Sequence, residues 1–208
     1  MTTRLREGLG LLYGALWAAL AISPVDRADW ALENLLVLVF AAVLCATGRW
    51  RTLTTGAFLC VLAFLCLHAV GAHYTYSLVP YDRWAEALTG ATVSDRFGLD
   101  RNHYDRLVHF AYGLLLTGPI REVLPHDRLG PGWRLTLPVA IVLSLSAAYE
   151  IVEWAAAMLF GGDLGIAYVG AQGDSWDAQK DMALAVAGAL LSTALGRLPA
   201  IAAHKRAS

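Results

Sequence analysis

Long apolar runs, each interrupted by very few charged residues, restrict the fold of this chain more than any other feature. A helix needs about 20 mostly apolar residues to cross a bilayer. Because lipid offers no partners for backbone N–H and C=O groups, such a run must satisfy them internally, as a helix does. Runs of suitable length lie at residues 8–23, 31–47, 53–73, 104–121, 135–160 and 178–197. The sequence therefore predicts an all-α fold, a polytopic transmembrane helical bundle of about six spans.

The composition excludes several other classes of protein. Hydrophobic residues make up 57% of the chain and charged residues 16%, so most of the surface must meet lipid or protein. The net charge of -1, with no basic stripe, excludes nucleic acid as a partner. No nucleotide-binding or hydrolase motif and no low-complexity linker is present, and Cys45, Cys60 and Cys66 all fall in apolar runs. We interpret residues 1–208 as a single integral membrane domain.

The first apolar run has two interpretations. Arg4 and Arg6 precede it, and residues 19–21 resemble a cleavage site, so it could be a cleaved signal peptide. Because a second apolar run follows at once, we favour an uncleaved span. The long connection over residues 75–102 is predicted to contain a short interfacial helix at about Tyr81–Leu88, whose aromatic side chains would lie at headgroup level.

The distribution of Lys and Arg predicts the orientation. With six spans, one side of the membrane collects ten of the 16 basic residues, namely Arg4, Arg6, Arg49, Arg51, Arg121, Arg128, Arg134, Arg197, Lys205 and Arg206. The positive-inside rule assigns that side to the cytoplasm. We therefore expect a protein of the bacterial inner membrane with both termini in the cytoplasm and with its polar motifs opening toward the outer face.

Several predicted helices carry ionisable residues in the same outer half of the membrane. Asp105 and His109 are four residues apart and share a helix face, as Glu150 and Glu153 do at a spacing of three. With a rise of 1.5 Å per residue, His109 and Asp181 would lie about 6–8 Å below the outer boundary and the two glutamates about 10–15 Å below it. Because ionisable residues are costly in hydrocarbon, they usually face a bundle interior. The sequence thus predicts one polar pocket in the outer half.

Some of these groups also have a purely structural interpretation. A single histidine in an apolar run, such as His68, is most often a hydrogen-bonded core residue. Asp105 could be an acid that favours the positive end of its helix at the interface. Asp177 and Asp181 could simply flank Lys180 in a solvated turn.

The pair Glu150 and Glu153 fits a structural interpretation least well. Two adjacent carboxylates in a medium of low dielectric constant cannot both stay ionised without partners. A basic residue, a histidine or a metal ion must supply positive charge, or one glutamate must hold a proton. No cofactor is evident from a motif, but Asp105, His109 and Asp181 could join the pair as ligands of a divalent metal.

The polar motifs resemble, in their order along the chain, those of the YjdF-type bacterial inner-membrane proteins, a family whose domain has no known function. The resemblance covers about residues 30–195. It is carried by His68, His73, Tyr74, Tyr76, Arg101, Asn102, His103, Tyr104, Asp105, Arg106, His109, Phe110, Pro119, Arg121, Glu122, Glu150, Glu153, Gln172, Gly173, Asp174, Trp176, Asp177, Gln179, Asp181 and Met182. It implies a multi-pass membrane protein and supplies no activity.

The chain is also distantly similar to VanZ-like proteins, which are linked to glycopeptide-antibiotic tolerance. Their Asp-Lys/Arg-x-x-His-Phe motif matches Asp105 to Phe110. However, Glu153 stands where that family has glutamine, and Ala185 stands where it has asparagine. These two differences weigh against an antibiotic-related role.

The sequence analysis leads to two sets of candidate site residues and three classes of function. The catalytic candidates are Asp105, His109, Glu150, Glu153 and Asp181. The residues predicted to bind a substrate or to shape the site are His68, His73, Tyr74, Asn102, His103, Arg106, Gln172, Asp174 and Asp177. The protein could be an enzyme acting on a lipid or envelope precursor, a small transporter or proton-coupled carrier, or a non-catalytic interaction protein. Its expected partners are the bilayer and such a lipid ligand, and its oligomeric state stays open.

Overall fold

The computed structural model describes residues 1–162 and 171–196, and these residues are helical with connecting turns. The α-helices, in chain order, are α1 (Thr3–Leu20), α2 (Arg27–Thr47), α3 (Thr55–His73), α4 (Tyr81–Thr89), α5 (Val93–Phe97), α6 (Tyr104–Val123), α7 (Pro131–Phe160) and α8 (Asp177–Leu195). Short 3-10 turns follow α2 and α6. The all-α fold predicted from the sequence is confirmed.

Local capping explains where several helices begin and end. The Thr2 hydroxyl accepts from the Leu5 N–H and starts α1 five residues before the predicted run, while Asp26 caps α2 through the N–H groups of its first turn. Gly48, with φ of 63°, ends α2 in the left-handed conformation. Pro131 stands in the first turn of α7, so this helix begins before its apolar run.

Among residues 1–162 and 171–196, three helices are long and apolar enough to cross a membrane, namely α2, α3 and α7. The other long helices, α1, α6 and α8, have 18, 20 and 19 residues. The total of about six spans therefore stays a prediction. Helix α4 confirms a helix in the long connection, and its place at the membrane interface stays a prediction too.

Helix α2 has its polar residues inside and its apolar residues outside. Its buried side chains are Asp29, Glu33 and Asn34, whereas Leu35 and Val39 are each more than half exposed. In water this arrangement would be unfavourable, because apolar surface would be hydrated while charges lost their solvent. In a bilayer the apolar face meets lipid, so the burial pattern of α2 agrees with a membrane protein.

Helices α6 and α8 make the closest contact in the bundle. A Cβ added to Gly113 would lie 1.8 Å from the Ala185 carbonyl oxygen, and one added to Gly188 would lie 2.2 Å from the Phe110 carbonyl oxygen. The two backbones therefore approach as closely as they do only because both positions are glycine. We call this contact the α6–α8 seam. It fixes α8 against α6 in height and rotation, and so positions the side chains at their N-terminal ends.

The predicted orientation of the chain is not decided by the fold. Residues 197–208, which supply Arg197, Lys205 and Arg206 to the count of basic residues, lie outside the described part. We therefore name the two ends of the bundle by structure. The α4–α5 end is the one that carries α4, α5 and the N-termini of α6 and α8, and the opposite end carries the loop around Arg49–Arg51.

Candidate functional site

The catalytic candidates on three helices come together near the α4–α5 end. A carboxylate oxygen of Asp105, a ring nitrogen of His109 and a carboxylate oxygen of Asp181 all lie within 4.8 Å of one another. His109 Nε2 is 3.6 Å from Asp105 Oδ1 and also 3.6 Å from Glu150 Oε1. We call these four residues the acid–His cluster. The sequence predicted that they would converge, and the structure brings them together.

The cluster is well shielded from solvent. Asp181 is 2% exposed and His109 is 8% exposed. Glu153, one turn after Glu150 on α7, is also buried. None of the acids Asp105, Glu150, Glu153 and Asp181 forms an ion pair with Lys or Arg among residues 1–162 and 171–196. Within the described part of the chain, these acids find an ion-pair partner only in the His109 imidazole, so the site carries an excess of acidic groups.

A separate network of ion pairs covers the cluster on its α4–α5 side. Arg101 Nη2 lies 2.9 Å from Asp177 Oδ1, and Arg106 donates to Asp177 and to Asp174. Lys180 donates to Asp174 at 2.5 Å. We call these five residues the ion-pair cap. Because both arginines are occupied by the two aspartates of the cap, they do not pair with the acids of the cluster below.

The charges of the cap change the ionisation of Asp174 and of the neighbouring His103. The hydrogen bond from Lys180, together with the Trp176 N–H and Arg106, lowers the pKa of Asp174 to about 2. Burial, followed by the charges of Arg106 and Arg101, lowers the pKa of His103 below its ordinary value. Asp177 is 5% exposed, so the alternative in which Asp177 and Asp181 flank Lys180 in a solvated turn is wrong.

A pair of reciprocal amide contacts ties the loop before α8 to the start of α6. The Asn102 N–H donates to Gln172 Oε1 at 3.1 Å, and Gln172 Nε2 donates back to the Asn102 carbonyl at 2.9 Å. Arg101 also donates to the Ala171 carbonyl. Asn102 and Gln172 thus act on the shape of the site by holding the segment that carries Asp174 and Asp177.

Three further candidates lie on or after α3, and they have different surroundings. His68 is buried, lines the same cavity as Asp105 and His109, and pairs through Nδ1 with the Tyr76 hydroxyl at 2.5 Å. His73 Nδ1 instead bonds the Leu20 carbonyl at 2.7 Å, and Tyr74 packs edge-on against Trp84. The structure therefore brings His68 to the site, and it places His73 and Tyr74 in contacts between helices.

The sequence analysis missed Glu33 and Tyr149. Glu33 on α2 is 3% exposed, and the Tyr149 hydroxyl on α7 donates to its Oε2 at 2.7 Å. The Tyr149 ring also lies edge-on to His109, with ring centroids 6.2 Å apart. The signal for Glu33 was present, because it is an acid inside the second apolar run, as Glu150 is inside the fifth.

A cavity of about 500 Å³ lies between α2, α3, α6 and α7. Its lining is polar at the α4–α5 end, where Glu33, His68, Asp105 and His109 meet. Toward the opposite end it is apolar, and it reaches Leu44, Leu53, Leu116, Pro119 and Val123. Ligand cavities commonly have volumes of about 300–1,000 Å³ and a mostly apolar lining with few polar groups, as this one does.

The cavity reaches the surface of the bundle between α2 and α7. Its lining includes Leu36 and Phe40 from α2 and Leu145 and Val152 from α7, which are 42%, 39%, 54% and 42% exposed. These are apolar flanks that a bilayer would cover. The exposed lining residues belong to α2 and α7, so the cavity is open at the side of the bundle between these two helices. The opening at the outer face that the sequence predicted stays a prediction.

The arrangement can carry out acid–base chemistry on a group placed at the polar end of the cavity. An imidazole between two carboxylates can accept a proton or pass one on. Its mixed nitrogen and oxygen donors also suit a divalent metal ion. The four residues of the cluster include no Ser or Cys. Ser146 lines the cavity and is buried, and its hydroxyl has no partner within residues 1–162 and 171–196.

Comparison with known proteins identifies the family. Residues 6–200 match the family of predicted membrane proteins described as DUF2238. The chain is 35% identical over 171 residues to the inner membrane protein YjdF of Escherichia coli strain K12, an alignment that covers 81% of this chain and 78% of the relative. No solved structure matches the chain. The chain belongs to this family of predicted membrane proteins, and it is a membrane protein of uncharacterised activity.

Proposed function

We propose that this member of a predicted membrane protein family acts on an amphipathic lipid or a lipid-linked envelope precursor in the bacterial inner membrane. The apolar chain of the ligand would lie in the cavity between α2, α3, α6 and α7. Its polar head would meet the acid–His cluster. The name of the 35% identical relative supports the inner-membrane location, and the Lys/Arg distribution supports cytoplasmic termini. A reporter active only outside the cytoplasm, fused after Ser208, should stay silent.

The observation that carries the proposal is the change of lining along one cavity. Acids and histidines surround one end, and apolar side chains surround the rest. An amphiphile has the same division between head and chain. The exposed apolar residues between α2 and α7 give such a molecule a path from the bilayer that keeps its chain out of water.

Acid–base chemistry is the reaction type that these side chains favour. His109 has a carboxylate on either side at 3.6 Å, so a proton taken from a ligand has two neighbouring acceptors. Glu33 and Tyr149 lie at the same end of the cavity, where they would contact the ligand's polar head. We assign His109 and Glu150 as the acid–base pair and Glu33 as a binding residue.

The position of the ionisable groups argues against the transporter alternative. A proton or ion path needs polar side chains through the depth of the membrane. Here the charged residues that line the cavity are confined to the α4–α5 end, and the lining near Leu44, Leu116 and Val123 is apolar. A chain of hydrocarbon fits this half of the cavity better than an ion does.

Buried carboxylate oxygens without hydrogen-bond partners argue against the interaction-protein alternative. A cluster that only locks helices together should pair its polar groups, because a buried unpaired carboxylate destabilises the fold. Asp181 Oδ1 and Glu150 Oε1 are buried and have no hydrogen-bond partner among the residues that the structure describes. Such groups are expected where a ligand or an ion completes the site.

Two serines of α7 provide a matched pair of variants for the test. Ser146 is buried and lines the cavity, and no described residue forms a hydrogen bond with its hydroxyl, whereas Ser144 is exposed outside the lining. Ser146→Phe should fill the cavity without losing a hydrogen bond, and Ser144→Phe should only face lipid. We expect lipid that co-purifies with the chain through detergent exchange to fall by about tenfold in Ser146→Phe, and to stay at the wild-type amount in Ser144→Phe.

A second arm separates binding from reaction. Glu150→Gln should still retain lipid, and a null strain carrying it should show the same changes in envelope lipids as the empty null strain. Equal lipid retention by wild type and Ser146→Phe would contradict a ligand in the cavity. Full complementation by Glu150→Gln would contradict its acid–base role.

A further inference from the structure

The three clustered donor atoms of Asp105, His109 and Asp181 have the composition of a metal site. Asp105 and His109 come from one face of α6, and Asp181 comes from the first turns of α8. One atom from each residue lies within 4.8 Å of the other two. The α6–α8 seam holds these two helices in register, since Gly113 follows His109 by four residues and Gly188 follows Asp181 by seven. The donors are thus fixed by backbone packing.

The distances around His109 Nε2 do not correspond to hydrogen bonds. This nitrogen is 3.6 Å from Asp105 Oδ1 and 3.6 Å from Glu150 Oε1. Hydrogen bonds from nitrogen to oxygen are about 2.7–3.2 Å long. Two donors bound tetrahedrally to one zinc ion, each at about 2.0–2.2 Å from it, are separated by about 3.3–3.6 Å. The spacing is that of two ligands sharing one small cation.

An unsatisfied carboxylate provides an independent observation. Asp181 is 2% exposed, and no residue of the described chain forms a hydrogen bond with its Oδ1. Glu150 Oε1, on the other side of His109, is also buried without one. Within the described residues no Lys or Arg forms an ion pair with these two acids or with Asp105, because the nearby arginines belong to the ion-pair cap. Positive charge is what the site lacks.

We propose that Asp105, His109 and Asp181 bind a divalent transition-metal cation, with Glu150 beside its open coordination position. One imidazole with carboxylates favours a cation of the zinc class over magnesium or calcium, which prefer oxygen donors alone. Asp105 and His109 also line the cavity, so the cation would face the ligand's polar head. This inference deepens the proposed function and rests on it only for that last role.

Metal binding by the purified full-length chain tests the proposal. The protein is stripped with a chelator in detergent, loaded with Zn²⁺ or Co²⁺, and desalted before the bound metal is measured. We expect about one ion per chain and a rise in Tm with Zn²⁺. Bound Co²⁺ should give the absorption spectrum of an ion with a low coordination number. Mg²⁺ at the same concentration should give neither bound metal nor a rise in Tm.

Variants show whether the ion occupies this cluster. Asp181→Asn and His109→Gln should each weaken Zn²⁺ binding by about tenfold or more. The matched control is Asp29→Asn, which removes another buried acid, on α2 and outside the cavity lining, and should bind Zn²⁺ as wild type does. Because a variant could fail to fold, each is compared by gel filtration, and the Co²⁺ spectrum of wild type alone also decides the question.

Each result bears on the proposal. Wild-type protein that retains no Zn²⁺ or Co²⁺ overturns it, as does metal that binds equally well to Asp181→Asn, since that ion would be adventitious. Equal losses of Zn²⁺ binding in Asp29→Asn would also overturn the assignment to this cluster. The lipid experiment is read separately, because Ser146→Phe should keep its metal. Retention of lipid by protein that binds no metal would contradict the metal site and leave the proposed function supported.

Discussion

The two sides of α6 illustrate two different uses of one membrane helix. Toward α8, Gly113 and Gly188 bring backbone against backbone, and no side chain would fit between them. Toward α2 and α7, Tyr112 and Leu116 line a cavity of about 500 Å³. The tight side fixes the polar residues in place, and the open side leaves room for something else. We infer that the seam supplies rigidity, and that the cavity is the part of the fold that is adapted to a ligand.

The largest expected effect comes from a substitution that breaks the tight side of α6, which is the α6–α8 seam. Gly113→Leu places a side chain where even a Cβ would lie 1.8 Å from the Ala185 carbonyl oxygen, so α6 and α8 must separate. We expect no folded, monodisperse protein by gel filtration. Gly118→Leu, on the same helix with no atom within 4 Å of its added Cβ, should fold normally. Recovery of both variants in equal yield would show that the seam is not needed for folding.

A smaller loss should follow from opening the ion-pair cap, which lies at the end of the seam. Asp177 is 5% exposed and pairs with both Arg101 and Arg106. Asp177→Asn should reduce the free energy of unfolding by about 3 kcal/mol, which is the low end of the loss for a broken buried ion pair. The loss stays at the low end because Arg101 and Arg106 still pair with Asp174. Asp100→Asn, whose side chain is 96% exposed, should change nothing. Denaturant unfolding in mixed micelles would measure both.

The open side of α6, at the cavity, should tolerate substitutions that the α6–α8 seam does not. Substitutions at two tyrosines that line the cavity test this expectation. Tyr149→Phe removes the hydrogen bond to Glu33 and should reduce the free energy of unfolding by about 1–3 kcal/mol. Tyr112 also lines the cavity, but its buried hydroxyl has no partner in the described part of the bundle, so Tyr112→Phe should be neutral or stabilising. A larger loss in Tyr112→Phe than in Tyr149→Phe would contradict this view of the cavity.

The smallest effect is a dependence on acid pH. Lys180, the Trp176 N–H and Arg106 hold the pKa of Asp174 at about 2 against an ordinary value of 3.8, and Arg101 lies 3.9 Å away. Because the folded pKa is the lower one, this contribution to stability is complete above about pH 4 and is lost as pH falls through about 2. The Tm of wild type should therefore exceed that of Asp174→Asn by a small margin at pH 7. That margin should shrink toward pH 2, and a margin constant with pH would contradict the assignment.

The polar cluster could be predicted from the sequence because its signal is local. An acid or a histidine inside an apolar run indicates a bundle interior, and the spacing of Asp105 and His109 gives a shared face. Rise per residue then places Glu150 and Asp181 in the same half of the membrane. The same argument applied to Glu33 would have found it. The helix at Tyr81–Thr89 was likewise readable from its local composition.

The partners of each helix could not be predicted, because they depend on contacts between distant residues. Nothing in the apolar runs indicates that α6 packs on α8 through Gly113 and Gly188, since isolated glycines in a helix have several causes. The cavity is harder still to foresee, because it results from α2 and α7 standing apart. The spacing of residues within a helix does not reveal where two helices fail to meet.

An experimental structure of the chain in nanodiscs of bacterial lipid extract would test the central claim most directly. Our account predicts an elongated density between α2 and α7 that begins beside His109 and runs past Leu116 toward Val123. Ser146→Phe should abolish this density while the α6–α8 seam stays unchanged. Helices α2 and α7 packed together along their length, with no cavity and no density between them, would contradict the account.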